Sequence, residues 1–95
     1  MGIKAVQEAR EITGYHRMAT LTSALPVSGT GSIVMIQAEA QNVRYRADGV
    51  DPTASIGMLL QAGECHTLNM GSGQIGDIRV IGVVTGAILN VTAFK

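Results

Sequence analysis

The stretch IRVIGVVTGAILNVTAF, residues 78–94, decides the fold. Two runs rich in valine and isoleucine flank the dipeptide Thr85-Gly86, which is typical of a turn. Side chains branched at Cβ pack well on a pleated surface, and a short apolar run bounded by a turn favours a strand over a helix. The segment predicts one strand from Ile78 to Val84, a turn, and a partner strand from Ile88 to Phe94. We therefore expect a C-terminal β-hairpin.

The same pattern of short apolar runs between turn residues continues towards the N-terminus. Further strands are predicted at Arg17–Thr22, Ile33–Ile36, Gln41–Ala47, Gly57–Gln61 and Glu64–Met70. The unbroken apolar run at 33–36 predicts a strand covered on both faces, and Pro26 predicts an edge or a loop. Ala62-Gly63 predicts a tight hairpin between the fourth and fifth of these strands. Four methionines are expected to fill the core: Met18, Met35, Met58 and Met70.

The chain has the length of one domain, with 95 residues and twelve glycines. Turn signals about every eight to twelve residues predict an all-β fold, an antiparallel β-sandwich or jelly-roll-like barrel of about seven strands. That domain is expected over residues 15–95. Residues 1–14 are predicted to form either a short helix, with Gly14 as its C-terminal cap, or an arm that a partner orders.

Charge and cysteine content exclude several classes of function. Seven basic and seven acidic residues cancel, so the counterion release that drives nucleic-acid binding is weak and no nucleic-acid partner is expected. The charge-free run at 18–38 is interrupted by Pro26 and two glycines, which favours a soluble hairpin over a membrane span. Cys65 is the only cysteine, so an intramolecular disulfide is impossible.

The residues that could support catalysis do not form a recognisable set. Cys65 and His66 are adjacent, so on a strand their side chains point to opposite faces and cannot share a metal or act as nucleophile and base. His16 has no neighbour in sequence with which to form a ligand motif. We therefore predict no enzyme activity, no metal and no cofactor, and a structural or surface role for each histidine.

One dense polar set remains, and it gives the candidate interface residues. Its members lie on predicted strands or in the turns beside them: Arg44, Arg46, Asp48, Asp77 and Arg79, with Glu39 and Asp51 nearby. One interpretation is a solvated network of ion pairs across strands. The other is an interface, since arginine forks bind carboxylates of a partner with two hydrogen bonds.

Several segments resemble short virion proteins of tailed bacteriophages. They are VRYRADG at 43–49, PTAS at 52–55, Gly57-Met58, the stretch 60–63, IRVI at 78–81 and GAILNV at 86–91. The resemblance implies a β-sandwich used for capsid decoration or cementing, and it carries over no catalytic residue. It implies a virion location on the capsid surface after synthesis in the cytoplasm of a bacterial host.

The resemblance makes the major capsid protein, or another virion protein, the expected partner of a homo-oligomer, either a dimer or a trimer. Such a small sandwich, with edge strands available for pairing, suits repeated docking on a shell. Two alternatives stay open at this point. One is a tail or neck adaptor or a fibre module, and the other is a sandwich that binds a receptor or glycan, although the chain has only three aromatic residues.

Overall fold

The computed structural model describes residues 11–71 and 74–95, and these residues form an all-β fold. Within these two ranges eight strands follow one another: β1 (Ile12–Met18), β2 (Leu25–Pro26), β3 (Ile33–Glu39), β4 (Val43–Arg46), β5 (Met58–Leu60), β6 (Cys65–Asn69), β7 (Arg79–Gly82) and β8 (Ile88–Phe94). A 3₁₀ turn, Ile75–Asp77, precedes β7. No helix in the described ranges is long and apolar enough to cross a membrane.

The strands form two antiparallel four-stranded sheets that pack face to face. The first sheet has the order β1-β8-β3-β6, and the second has the order β2-β7-β4-β5. The predicted all-β sandwich is confirmed, with eight strands where about seven were expected. Pro26 lies in an edge strand, as predicted, where its missing N–H breaks no ladder.

Alternation along the strands builds the core between the sheets. In β8, Leu89, Val91 and Ala93 are fully buried, while the residues between them face outwards. Val34, Ile36 and Ala38 of β3 lie beside them and are equally buried. The second sheet contributes Val43 and Tyr45 from β4 and Val80 from β7, among other residues. Each sheet thus buries one face, which is the arrangement that a period of two predicts.

Consecutive strands alternate between the two sheets, with β4 and β5 as the exception. Both predicted hairpins are therefore wrong. Gly63 and Gly86 have positive φ, as the turn prediction required, but the turns connect β5 to β6 and β7 to β8 across the sandwich. Within its sheet β7 lies between β2 and β4, and β8 lies between β1 and β3.

Hydrogen bonds at the end of β7 explain why this strand does not continue into a hairpin. The Gly82 N–H donates to the Leu21 carbonyl at 2.9 Å, and the Val83 N–H donates to the Asn42 carbonyl at 3.0 Å. These two N–H groups point to opposite edges of β7, so both edges are already bonded to the loops that precede β2 and β4 and neither is free for a hairpin with β8. The chain leaves the second sheet at this point and enters the first at Ile88.

The N-terminal boundary also differs from the prediction. β1 begins at Ile12, so Gly14 lies within a strand and caps no helix there. A register irregularity between Ile12 and Gly14 marks a β-bulge. The rest of the predicted helix or arm, residues 1–10, lies outside the described residues.

Two predictions of burial are wrong, and the two residues are exposed for different reasons. β3 is covered on one face only, because Met35 is 38% exposed between the fully buried Val34 and Ile36. Met58, near the end of an edge strand, is 61% exposed. Met18 does lie in the core and Met70 packs against it, as expected.

Candidate interaction surface

The three predicted arginines lie together on the outer side of the second sheet. Arg44 and Arg46 alternate with the buried Val43 and Tyr45 on β4, and Arg79 lies on the neighbouring strand β7. Arg46 and Arg79 are direct cross-strand partners. Like charges placed opposite each other destabilise a sheet, so each needs a compensating carboxylate.

Each of these two arginines has its own aspartate. Arg46 donates to Asp48 from both Nε and Nη2, and Arg79 Nη1 lies 2.8 Å from Asp51 Oδ1. The hydrogen bond from Arg46 holds the pKa of Asp48 below its usual value. Arg79 Nε is buried and lacks a hydrogen-bond partner within the described ranges.

Arg44 has a different role, because it binds backbone rather than carboxylate. Its Nε donates to the Ala54 carbonyl at 3.1 Å and its Nη1 donates to the Gly57 carbonyl at 2.9 Å. The segment 47–57, which connects β4 to β5, is held against β4 by this guanidinium. Arg44 is thereby a structural anchor for the loop.

Two members of the predicted polar set are placed elsewhere. Asp77 is exposed in the 3₁₀ turn, where its backbone carbonyl accepts from the Gly49 N–H at 3.0 Å. Glu39 lies on the first sheet and accepts from Asn90 Nδ2 at 2.9 Å. The structure therefore joins Arg46 with Asp48 and Arg79 with Asp51, and their role in binding a partner stays a prediction.

Cys65 and His66 point to opposite faces of β6, as predicted. Cys65 is exposed on the outside, while His66 faces the second sheet. The Tyr45 hydroxyl and His66 Nδ1 are 2.8 Å apart, and the two rings meet edge to face with centroids separated by 5.7 Å. Burial raises the pKa of Tyr45, and the nearby Glu64 carboxylate raises it further. This polar contact ties the two sheets together, and nothing in the sequence indicated it.

Metal-ligating side chains do not gather in the part of the chain that the structure describes. Within residues 11–71 and 74–95, no three histidine, cysteine, aspartate or glutamate side chains form a group that could hold a metal ion.

Within the described residues, no element covers the outer face of the first sheet. We call its centre the open face and define it by six residues: Tyr15, Met35, Gln37, Cys65, Asn90 and Thr92. They come from all four strands of the sheet and surround a shallow depression of about 340 Å³. Tyr15 has 60% of its surface exposed and Met35 has 38%.

Hydrogen bonds across three strands orient three side chains of the open face, those of Tyr15, Gln37 and Asn90. The Tyr15 hydroxyl donates to Asn90 Oδ1 at 2.6 Å. Asn90 Nδ2 in turn donates to Glu39 Oε1 at 2.9 Å and lies 3.4 Å from Gln37 Oε1. Because these groups are already oriented, a partner that binds here would meet an ordered surface.

The composition of the open face suits protein binding better than catalysis. It combines an aromatic ring and a thioether with uncharged amide and hydroxyl groups, and tyrosine and methionine are both enriched at protein interfaces. Sequence reasoning missed this surface because it expected β3 to be covered on both faces. The sequence did contain a sign of this exposed face. Met35, Gln37 and Glu39 on β3, and Asn90 and Thr92 on β8, are alternate residues and therefore place four polar side chains and one methionine on the same face.

Comparison with known proteins yields no relative: no family model, no curated protein and no solved structure matches this chain.

Proposed function

We propose that this chain is a virion structural protein of a tailed bacteriophage, a head decoration or cement protein that binds the major capsid protein through the open face. The observation that carries the binding part of the proposal is the uncovered outer face of the first sheet, with Tyr15 and Met35 exposed on it. A sheet face that no element of the described residues covers is available for a partner.

The character of the open face favours a protein surface as its target. Its central residues carry no charge, and the flanking ions Arg17 and Glu39 are of opposite sign. Such a face gains little from electrostatic steering and depends on shape and hydrogen bonding. The arginine side of the molecule fits this role less well, because Arg44, Arg46 and Arg79 already donate to groups of their own chain.

The viral part of the proposal depends on the sequence segments that resemble phage virion proteins. They fall on β4, on the loop after it, on the edge strand β5, and on β7 and β8. Of these, β4, β7 and β8 are central strands, so the resemblance concerns mainly the scaffold that presents the open face. The residues of the open face itself come mostly from outside those segments.

Binding to shells tests the proposal directly. Purified chain is mixed with expanded phage capsids that lack decoration, pelleted, and quantified per particle, and the capsids are then heated to follow their disruption. We expect saturable binding in many copies per particle and a higher disruption temperature. Saturation at a few copies would indicate a neck or tail adaptor instead, and absence of binding to any expanded capsid would overturn the proposal.

A second candidate, glycan binding, has one specific observation in its favour. The exposed ring of Tyr15 lies beside the amides of Gln37 and Asn90, and sugar sites combine an aromatic platform with fixed polar groups. A glycan array with the wild-type chain and a Tyr15→Ala variant separates the two. A strong hit that the variant loses would favour the glycan, and an empty array leaves the capsid proposal in place.

A further inference from the structure

We propose that β1 is a pairing strand through which two copies of this chain associate, with β1 of one copy antiparallel to β1 of the other. The two first sheets would then join into one continuous eight-stranded sheet. This inference goes beyond the proposed function, because the contact requires no capsid. It would also place two open faces side by side on one surface.

The free edge of β1 has unused backbone groups. Lys95 N–H donates to the Glu11 carbonyl at 2.9 Å, and on the other side of β8 the Ser32 N–H donates to the Phe94 carbonyl at 3.0 Å. Backbone groups alternate in direction along a strand. The N–H and C=O groups of Leu89, Val91 and Ala93 therefore point towards β1, where they bond to the backbone of Met18, His16 and Gly14 respectively.

It follows that Tyr15 and Arg17 direct their N–H and C=O groups away from β8. β1 is the terminal strand of its sheet, so no other strand of the described chain pairs with that edge. Such an edge is a template for a further strand.

β1 also gains little from the core of its own chain. Only Met18 of its seven residues is buried, and Ile12 and Tyr15 are 62% and 60% exposed. A second strand alongside would cover part of these side chains and would bond the free backbone groups. Both effects favour association.

The other edges of the sandwich are less suited to this role. β2 has two residues, one of them Pro26, and β5 has three residues beside the turn at Thr53–Ile56. Short edges and proline are the usual protection against unwanted pairing. β6 is longer, but the residues on its outer face are Cys65, Thr67 and Asn69, whose small side chains add little contact area.

Charge disfavours one register of the pair and allows another. With the two-fold axis at Tyr15, the two Tyr15 residues lie opposite each other and Arg17 faces Thr13 of the second copy. With the axis at Arg17, two guanidinium groups would lie directly opposite, which destabilises a sheet. The Tyr15 register also makes the outward N–H and C=O groups of that residue bond reciprocally, as in a hydrogen-bonded antiparallel pair.

Amide hydrogen exchange, followed by NMR from micromolar to millimolar concentration, tests the contact residue by residue. Gly14, His16 and Met18 should be protected at every concentration, because they bond to β8. Tyr15 and Arg17 should become protected only as the dimer forms, with exchange slowed at least about tenfold. A dimer in which these two amides still exchange freely would overturn the proposal, and so would protection that persists in the monomer.

A pair of variants gives an independent test by sedimentation. Arg17→Pro removes an outward N–H and leaves the bonds to β8 intact, whereas Arg17→Val removes the same charge and keeps the N–H. At a concentration at which the wild-type chain is dimeric, we expect Arg17→Pro to be monomeric, with a dissociation constant at least about tenfold higher. Arg17→Val should remain dimeric.

Exchange protection of His16 and Met18 reports whether Arg17→Pro still folds. A folded Arg17→Pro variant that dimerises like the wild type would overturn the inference. Neither measurement includes capsids, so the outcome is independent of the proposed function.

Discussion

Ala87 occupies the space that a side chain at position 82 would need. A Cβ added to Gly82 would lie 2.7 Å from the Ala87 Cβ and 3.1 Å from the carbonyl oxygens of Leu21 and Val84. Ala87 is buried against this position. The connection between β7 and β8, residues 83–87, which we call the arch, therefore passes directly over the glycine. The absence of a side chain at residue 82 is therefore what allows the chain to cross from one sheet to the other.

Gly82→Ala should accordingly destabilise the protein. The added methyl group overlaps a buried side chain and two backbone carbonyls, and overpacking of this kind costs about 1–3 kcal/mol of the free energy of unfolding. Urea unfolding followed by circular dichroism measures the loss.

Gly76→Ala is the matched control, because a Cβ there has no heavy atom within 4 Å. We expect it to leave the urea midpoint nearly unchanged. Equal effects of the two alanines would show that the arch can relax around residue 82.

The contact between Tyr45 and His66 predicts a second effect on stability. Tyr45→Phe keeps the ring in the core and removes only the hydroxyl that lies 2.8 Å from His66 Nδ1. Loss of one such hydrogen bond costs about 1 kcal/mol, measured by urea unfolding at neutral pH. A variant as stable as the wild type would mean that the bond contributes nothing net.

The same residue predicts a dependence on alkaline pH. Burial, and secondarily the charge of Glu64, raise the pKa of Tyr45 in the folded chain above the usual value of about 10. The folded tyrosine therefore keeps its proton at a pH at which the unfolded tyrosine has lost it. Its contribution is complete below about pH 10 and is lost as pH rises through the folded pKa.

A series of urea unfolding curves from neutral pH to above pH 10 checks this expectation. The wild type should lose more stability over this range than Tyr45→Phe, which cannot ionise at residue 45. Parallel losses would assign the alkaline effect to other groups.

The sandwich itself could be predicted because alternation is a local property. On β4, the alternation of apolar residues (Val43, Tyr45) with arginines (Arg44, Arg46) correctly predicted which face is buried, without knowledge of the partner strands. Strand pairing could not be predicted in this way. Thr85-Gly86 indicates that the chain turns, and Gly86 does adopt a positive φ, but a turn of this kind fits a hairpin and a crossing between sheets equally well.

The candidate surface was harder to predict than the fold. Arg46 and Arg79 were recognised by their charge. The bond from Arg46 to Asp48 is local, but the bond from Arg79 to Asp51 depends on how β4 and β7 align, which is set by long-range pairing. Met35 carries no charge and was assigned to the core. Its exposure depends on whether another layer covers the first sheet, and the only local sign was the alternation of Met35 with the polar Gln37 and Glu39 on the same face.

Arg44 and Arg46 predict contrasting results for one substitution at two sites of β4. Arg44→Met removes two hydrogen bonds from a guanidinium to the carbonyls of Ala54 and Gly57, which should cost about 1–3 kcal/mol of unfolding free energy. Arg46→Met removes an exposed ion pair with Asp48, and such pairs contribute little. Thermal unfolding of both variants in one buffer makes the comparison.

Added salt separates the two contributions further. The small effect of Arg46→Met should diminish as ions screen the pair, whereas the loss in Arg44→Met should persist. If Arg46→Met proved the more destabilising variant, the assignment of Arg44 as the anchor of segment 47–57 would be wrong.

The open face predicts where a charge interferes with binding to a shell. Met35→Arg places a guanidinium at the centre of the first sheet, where the native side chain is already 38% exposed, so the fold should tolerate it. In the capsid assay this buried charge at the interface should raise the dissociation constant at least about tenfold. Ile56→Arg is the matched control, since Ile56 is 59% exposed on the segment that connects β4 to β5 and lies outside the open face.

The two variants, Met35→Arg and Ile56→Arg, each add one positive charge. Any non-specific electrostatic effect on capsid binding should therefore be the same for both. A specific loss in Met35→Arg therefore reports the location of the contact. Should Ile56→Arg lose binding while Met35→Arg keeps it, the docking surface would lie beside Arg46 and Met58 on the other side of the sandwich, where Ile56 lines a second depression. Equal binding by both variants and the wild type would place the contact on neither face and would leave the sandwich edges as the remaining route to a shell.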